Sequence, residues 1–248
     1  MAHNLGKDIP HDHNNLIIQT ALKLIPNLTP HHLQMTSEIA PARGLGSSSA
    51  AIVAGIELAN LLGDLELTAD AKIQWASKIE GHPDNVTPAI VGGFVVRAVL
   101  DDRVYWKKIP FLDVAMVVCV PEHQLKTIQS RTVLPTNLPF KQAVKVSSLA
   151  NVLLASLQKG NLITAGKMIE SDIFHEPYRA KLIPELNHVR SIGHEEAAYG
   201  TYISGAGTAV MTMISREYAR NLRERLQIEL PRCRTHITHV GGKESVIL

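Results

Sequence analysis

The segment "PARGLGSSSAAIVAGIELAN", residues 41–60, constrains the fold more than any other part of the chain. Its flexible half contains Gly44 and Gly46 and runs directly into an alanine-rich apolar half, which predicts a helix to about Leu62. Glycine permits positive φ and close approach of the backbone. The first amides of a helix have no intrahelical acceptor, and the helix dipole favours negative charge there. The segment therefore predicts an anion-binding loop; the alternative is a serine N-cap after a tight turn.

Other glycine motifs do not fit this loop. A Walker A motif requires a lysine after its second glycine, but Ser47 follows Gly46. The dinucleotide motif G-x-G-x-x-G fails because Ser49 stands where its third glycine should be. A nucleophile elbow, G-x-S-x-G, would need glycine in place of Ala50. The serine hydroxyls remain as ligands for phosphate oxygens or a metal.

The rest of the chain predicts a mixed α+β fold. Apolar spacing predicts a helix over Asn14–Ile25 and another that is capped by Thr68. A loose alternation predicts a strand over His31–Ile39. Further strands are predicted for "GGFVVRAVL", "RVYWKKI", "DVAMVVCVP", "AYGTYIS", "TAVMTMI" and "RTHITHV", with helices over most of 139–198 and over 215–226. Because no regular βαβ rhythm appears, we predict the α+β class. A boundary near Pro110, between two predicted strands, divides the chain into domains over 1–109 and 110–248.

Composition excludes several classes of function. A net charge of +2 without a basic tract gives no indication of nucleic-acid binding. We expect no signal peptide and no membrane span, because the first residues are polar and no apolar run is long enough, so the cytosol is the expected compartment. Cys119 lies in an apolar strand and predicts a core thiol. The histidine pairs lack a third ligand at metal-binding spacing.

The string "PARGLGSSSA" resembles the phosphate-binding motif of the GHMP small-molecule kinases. Four further segments resemble, in order, the landmarks of the homoserine kinase family within that superfamily. They are "EGHPDNVTPAIVGGF" (80–94), "TIQSRTVLP" (127–135), "HEPYRAKLIPEL" (175–186) and "SGAGTAV" (204–210). The resemblance implies transfer of the γ-phosphoryl group of ATP to the hydroxyl of L-homoserine, in threonine biosynthesis.

The resemblance also implies which residues hold ATP and Mg²⁺. The cradle for the ATP phosphates would consist of Pro41, Ala42, Arg43, Gly44, Leu45, Gly46, Ser47, Ser48, Ser49, Ala50 and Ala51. Ser47 or Ser48 would approach Mg²⁺, together with the carboxylate of Glu80, because magnesium–phosphate sites recruit carboxylates. The alternative for Glu80 is a solvated residue at a helix end.

The substrate is a zwitterion, so the resemblance implies a carboxylate clamp and an ammonium acceptor. Arg131 and Arg179 match the family's arginines, and guanidinium suits bidentate carboxylate binding. Asp84 and Asn85 would accept from the ammonium group, and His82 would form a hydrogen bond. Thr127, Ser204 and Gly205 complete the implied substrate pocket. Surface arginines and a structural histidine are the alternatives.

The implied fold is an N-terminal domain of the ribosomal-protein-S5-like type followed by a ferredoxin-like domain. Homoserine kinases open with strands and a motif of the type N-L-G-P-G-F-D, and "HNLGKD" (3–8) echoes it only superficially. We therefore expect an incomplete first domain without these strands, and dimerisation through exposed sheet edges is plausible. The alternatives are an impaired ATP-binding fragment, a purely structural or interaction protein, and another GHMP kinase such as a mevalonate-pathway enzyme.

Overall fold

The computed structural model describes residues 1–110, 112–125 and 127–246, except for the side chain of Thr127. Its contacts divide the chain into a first unit, with Met1–Pro41, Gly46–Ile109 and the tail from Gly241, and a second unit, with Ala42–Leu45 and Pro110–Val240. The domain division at residue 110 stays a prediction. Two short segments belong to the unit on the other side of that boundary in the sequence: residues 42–45 to the second unit, and the tail from Gly241 to the first. Residues 42–45 belong to the second unit because their carbonyls accept hydrogen bonds from it. For example, Ala209 N–H donates to Arg43 O over 3.0 Å.

The first unit combines four helices with two pairs of strands among its described residues. They are β1 (Ala2–His3), α1 (Leu16–Leu24), β2 (Gln34–Met35), α2 (Ser47–Leu62), α3 (Ala69–Glu80), α4 (Val86–Val91), β3 (Phe94–Leu100) and β4 (Arg103–Ile109). Strands β3 and β4 form an antiparallel hairpin, whereas β1 and β2 pair in parallel. The strand predicted over 31–39 is wrong in length, because β1, its partner, has only two residues.

Side-chain caps set where two of these helices begin. The Asn15 side chain accepts from Ile17 N–H over 3.0 Å, so Asn15 is the N-cap residue and α1 begins at Leu16. The Thr68 hydroxyl accepts from Ala71 N–H over 3.2 Å, which confirms the predicted cap of α3. Ile52 and Ile56 of α2 pack with Ile73 of α3 in the apolar core of this unit.

The second unit is built on a four-stranded antiparallel sheet. Its elements are β5 (Ala115–Pro121), α5 (Thr127–Thr132), α6 (Phe140–Lys159), α7 (Leu162–Ile169), α8 (Glu176–Arg179), a 3₁₀ turn (Ala180–Leu182), α9 (Glu185–Glu195), β6 (Gly200–Ile203), β7 (Val210–Ile214), α10 (Arg216–Glu229) and β8 (Cys233–His239). The strand order β6-β7-β5-β8 is that of a ferredoxin-like βαββαβ domain. The predicted α+β class is therefore confirmed.

The core of the second unit lies where α9 and α10 cover this sheet. Leu186 and Ile192 of α9 and Leu222 of α10 pack against one face of β5, which carries Ala115, Val117 and Cys119. Cys119 lies in this core and forms no disulfide, which confirms the predicted core thiol. A hydrogen bond with Cys233 and burial both raise the pKa of the Cys119 thiol, so it stays protonated.

Candidate functional site

The first half of the glycine loop, residues 42–45, packs against a second glycine loop, residues 204–207, within the second unit. Gly44 has φ 75°, and a Cβ at this position would collide with the carbonyl oxygen of Ser204. The Ser204 hydroxyl donates to Gly44 O over 2.9 Å. A Cβ on Gly205 would lie 3.2 Å from the same oxygen. Glycine is therefore required where these two loops touch, and the Ser204 hydroxyl braces the first of them.

The other members of this half are held by the sheet. Arg43 donates from Nε to Pro121 O over 3.0 Å and from Nη2 to Glu122 O over 2.6 Å, at the end of β5. Burial and the nearby Arg234 lower the pKa of Arg43. Leu45 packs against the small apolar cluster that includes Val118. The side chains of Arg43 and Leu45 therefore anchor the loop to its unit.

The second half of the glycine loop is the N-terminus of α2 in the first unit. Gly46 is the N-cap residue, with φ 77° and no side-chain cap, and the first intrahelical bond runs from Ala50 N–H to Gly46 O over 2.9 Å. The amides of the first turn before Ala50 consequently have no acceptor inside the helix. Pro41 precedes the loop, and Ala51 continues the helix. This geometry is that of an anion site at a helix N-terminus.

Two serine hydroxyls of this turn bind the last residue of α3. Ser48 Oγ donates to one carboxylate oxygen of Glu80 and Ser49 Oγ to the other, each over 3.0 Å. Ser49 is buried, whereas Ser48 is exposed and Ser47, the first residue of α2, is half-buried. Glu80 is therefore not a solvated residue at a helix end. The oxygens of Ser48 and Glu80 are hard ligands of the kind that Mg²⁺ prefers.

The segment after α3 brings three predicted substrate residues near this turn. Asn85, the N-cap residue of α4, has its Cγ 3.6 Å from the position that a Cβ on Gly46 would take. Asp84 forms an ion pair with Arg97 of β3, and His82 Nδ1 lies 3.9 Å from Asp84 Oδ2. The predicted ammonium acceptor Asp84 thus already has a cationic partner.

Sequence reasoning did not predict Arg97 as the partner of Asp84, although the sequence contained one signal. It is the only charged residue in the apolar strand "FVVRAVL". Burial lowers the pKa of its guanidinium, which nevertheless stays charged beside the Asp84 carboxylate.

Arg179 is a buried arginine that ties three segments of the second unit together. Its Nε donates to Ser130 O over 3.2 Å, and its Nη1 donates to Gly205 O over 2.9 Å. These bonds use two of the five N–H donors of a guanidinium. Burial lowers the pKa of Arg179, the nearby Asp172 raises it and Arg131 lowers it. Arg179 is therefore not a surface arginine; it lies close to Arg131 and to the second glycine loop.

Arg131 and Thr127 both belong to the short helix α5. Arg131 is exposed, unlike Arg179. Thr127 is the first residue of α5, but its side chain lies outside the described part of the structure. Ser130, between them, donates its hydroxyl to Ala206 O over 2.7 Å, so α5 is also attached to the second glycine loop.

Asp172 is a second residue that sequence reasoning missed. Its carboxylate accepts from the amides of Phe174 (2.7 Å), His175 (3.2 Å) and Glu176 (3.1 Å), which immediately precede or begin α8. The signal was an aspartate just before a short helix that contains a proline.

Two further features are absent from the part of the chain that the structure describes. Across 1–110, 112–125 and 127–246, histidine, cysteine and acidic side chains form no metal-binding group of three or more. Within the same ranges, no helix is both long and apolar enough to cross a bilayer.

The chain is similar to known proteins along most of its length. Family models match at residues 15–93, for the GHMP kinases N terminal domain, and at 153–232, for the GHMP kinases C terminal. The homoserine kinase of Listeria innocua is 51% identical over 227 residues, which cover 92% of this chain and 79% of that relative. A Listeria monocytogenes structure described as a homoserine kinase superposes with a TM-score of 0.87 at 43% identity, over 98% of this chain and 82% of that chain. Homoserine kinase from Cytophaga hutchinsonii has the same fold, with a TM-score of 0.86 at 24% identity over 98% and 81% of the two chains.

Proposed function

The chain belongs to the homoserine kinase family of the GHMP kinases, and we propose that it transfers the γ-phosphoryl group of ATP to the side-chain hydroxyl of L-homoserine. The product is O-phospho-L-homoserine, an intermediate of threonine biosynthesis. The observation that carries the proposal is the bonding of Ser48 and Ser49 to Glu80 at the start of a helix that Gly46 caps. It combines an anion site with a carboxylate of the kind that a metal–phosphate complex requires.

Residues 41–51 bind the ATP phosphates in this proposal. The unbonded amides of the first turn of α2 donate to phosphate oxygens, and the helix dipole favours their negative charge. Gly46 has no side chain to cover the first amides of α2, and Gly44 lets the loop pack closely on residues 204–207. Arg43 contributes by anchoring the loop, because its guanidinium is already bound to the carbonyls of Pro121 and Glu122.

Mg²⁺ is the proposed metal, with Ser47 or Ser48 and Glu80 as its protein ligands. Bound Mg²⁺ neutralises charge on phosphate oxygens during transfer. The donor set fits, since hydroxyl and carboxylate oxygens are available and Ser48 is exposed. Ser49 instead orients Glu80, because its buried hydroxyl is committed to that carboxylate.

The homoserine carboxylate is assigned to Arg131 and Arg179. Arg179 keeps three N–H donors beyond its two backbone bonds, and Arg131 offers an exposed guanidinium. Asn85 and Asp84 accept from the ammonium group, and His82 donates or accepts a hydrogen bond. Thr127, Ser204 and Gly205 complete the assignment. Transfer then depends on holding the hydroxyl close to the phosphate rather than on a covalent step.

The acceptor is tested by identifying the phosphorylated product. The protein is incubated with MgATP and either L-homoserine or mevalonate, and ³¹P NMR follows ADP and any new phosphate monoester. We expect a monoester only with homoserine. A monoester with mevalonate alone would assign a different GHMP kinase, and nucleotide binding without transfer would favour the impaired-fragment alternative. A cytosolic location and a homodimer belong to the same proposal, and sedimentation tests the dimer.

A further inference from the structure

The hydrogen bonds of Ser48 and Ser49 to Glu80 are one polar tie between α2 and α3. A second polar tie joins the same two helices farther along their axes. Lys72 Nζ of α3 lies 2.7 Å and 3.0 Å from the two carboxylate oxygens of Glu57 of α2. The side chains are only 16% and 12% exposed, so solvent screens this ion pair less than a surface pair. The ion pair is therefore a firm connection between the two helices.

The two ties are separated by the same number of residues on both helices. Glu57 follows Ser49 by eight residues on α2, and Lys72 precedes Glu80 by eight residues on α3. This is the spacing of two antiparallel helices that are fixed at points about 12 Å apart along their axes. The two ties add polar contacts at two points to the apolar packing of Ile73 against Ile52 and Ile56.

The C-terminal tail completes the Glu57 site. Ser245 Oγ donates to Glu57 Oε1 over 2.6 Å, and Ser245 N–H donates to Ile90 O of α4 over 2.9 Å. A Cβ on Gly92 would collide with Gly242 O, so the tail also lies directly against the end of α4. Ser245 therefore connects α2 to α4, the helix that has Asn85 as its N-cap residue.

We propose that Ser245, Glu57 and Lys72 form a tail clasp that positions Glu80 against Ser48 and Ser49 for the magnesium ion of MgATP. They are positioning residues, since none of them belongs to the glycine loop or to the proposed ligand set. The choice of MgATP as ligand rests on the proposed function. The effect of the clasp on the α2–α3 pair does not, and it is measurable without any nucleotide.

The test compares Ser245→Ala with two other variants of the full chain. Ser245→Thr keeps the hydroxyl and serves as the rescue. Ile73→Val, in the apolar core on α3, is the matched control, because it lowers stability without removing a polar tie. Thermal unfolding of all three variants separates a loss of stability from a loss of positioning.

Two readouts follow. Hydrogen exchange in the nucleotide-free protein is measured at Ala50 and Gly81, whose amides bond to Gly46 O and Ser77 O. Calorimetry gives the Kd of MgATP and of metal-free ATP. We expect Ser245→Ala to speed exchange at both amides and to weaken MgATP by about threefold, less than the roughly tenfold or more that removing a direct partner of a metal ligand costs. Metal-free ATP should change much less, and Ser245→Thr should behave as wild type.

Each outcome decides something. Unchanged exchange and unchanged MgATP affinity in Ser245→Ala would overturn the clasp. The same holds if Ile73→Val, at an equal loss of thermal stability, reproduces both effects. If the wild-type protein binds no MgATP, the proposed function fails, but faster exchange in Ser245→Ala would still support the mechanical connection.

Discussion

Gly44 and Gly46 are required for different physical reasons, although they stand two residues apart. At Gly44 a side chain would collide with the backbone of the second glycine loop. At Gly46 the nearest atom to an added Cβ is 3.5 Å away, on Asn85, so space is sufficient and the positive φ alone demands glycine. Substitution at Gly44 therefore breaks the packing of the loops, and substitution at Gly46 strains only the helix N-terminus.

A substitution at Gly46 therefore tests whether this loop binds the phosphates of ATP. Gly46→Ala should weaken MgATP binding by about tenfold. Alanine in the left-handed conformation costs roughly 1–2 kcal/mol, so the loop relaxes to another backbone conformation in which its amides no longer face the phosphates. Gly160→Ala is the control: Gly160 has φ 76°, lies at the end of α6 and leaves an added Cβ 3.7 Å from Leu112. Equal nucleotide affinity in both variants, measured by calorimetry, would refute the assignment.

The two substrate arginines differ in how much of the fold depends on them. Arg179→Lys removes charged hydrogen bonds to Ser130 O and Gly205 O, which are worth about 1.5–3 kcal/mol each, and should lower the melting temperature by several degrees. Arg131→Lys changes an exposed side chain and should leave stability within about 0.5 kcal/mol of wild type. Thermal unfolding of both variants checks this difference, and an equal loss in the two would contradict it.

At the scale of elements, Asp172 holds the short helix that carries Arg179. Burial raises the pKa of Asp172, but hydrogen bonds from His175 and from the amides of Phe174 and Glu176 outweigh burial, so the pKa falls below its ordinary value of 3.8. Because the folded state lowers this pKa, the carboxylate stabilises the protein above about pH 4. That stabilisation is lost as the pH falls through the lowered pKa.

Asp172→Asn should therefore lower the free energy of unfolding near pH 6. The difference from wild type should shrink as the pH falls from 4 towards 2, where the wild-type carboxyl is also protonated. Chemical denaturation across this pH range measures both proteins. A difference that stays constant or grows in acid would contradict the assignment of the lowered pKa to Asp172.

Local sequence patterns predicted the elements whose boundaries depend on neighbouring residues. The glycine loop placed the start of α2, Thr68 placed α3, and alternating or apolar runs placed β3, β4 and β5. The strand predicted over 31–39 was too long, because a strand extends only as far as its partner does. The end of α10 was also missed: it continues to Glu229 rather than stopping at 226, since no glycine or proline interrupts it.

At the scale of the whole molecule, the missed contacts are those between residues far apart in the chain. Arg97 with Asp84, and Ser245 with Glu57, are pairs that no spacing rule predicts. The return of the tail to the first unit, and the packing of residues 42–45 on the second, likewise depend on tertiary contacts. The site residues therefore stay predictions from sequence motifs, and the structure adds the partners that hold their side chains.

The central claim is that this kinase uses ATP at the glycine loop and homoserine at the arginines. The most direct measurement is ADP release with homoserine varied, for wild type and for Arg131→Lys. We expect release to require homoserine, and we expect the variant to raise the KM for homoserine at least tenfold, about 1.4 kcal/mol, because ammonium cannot form the bidentate fork. The KM for ATP should stay the same. Release that is independent of homoserine, or a variant that loses ATP affinity and keeps homoserine affinity, would contradict the account.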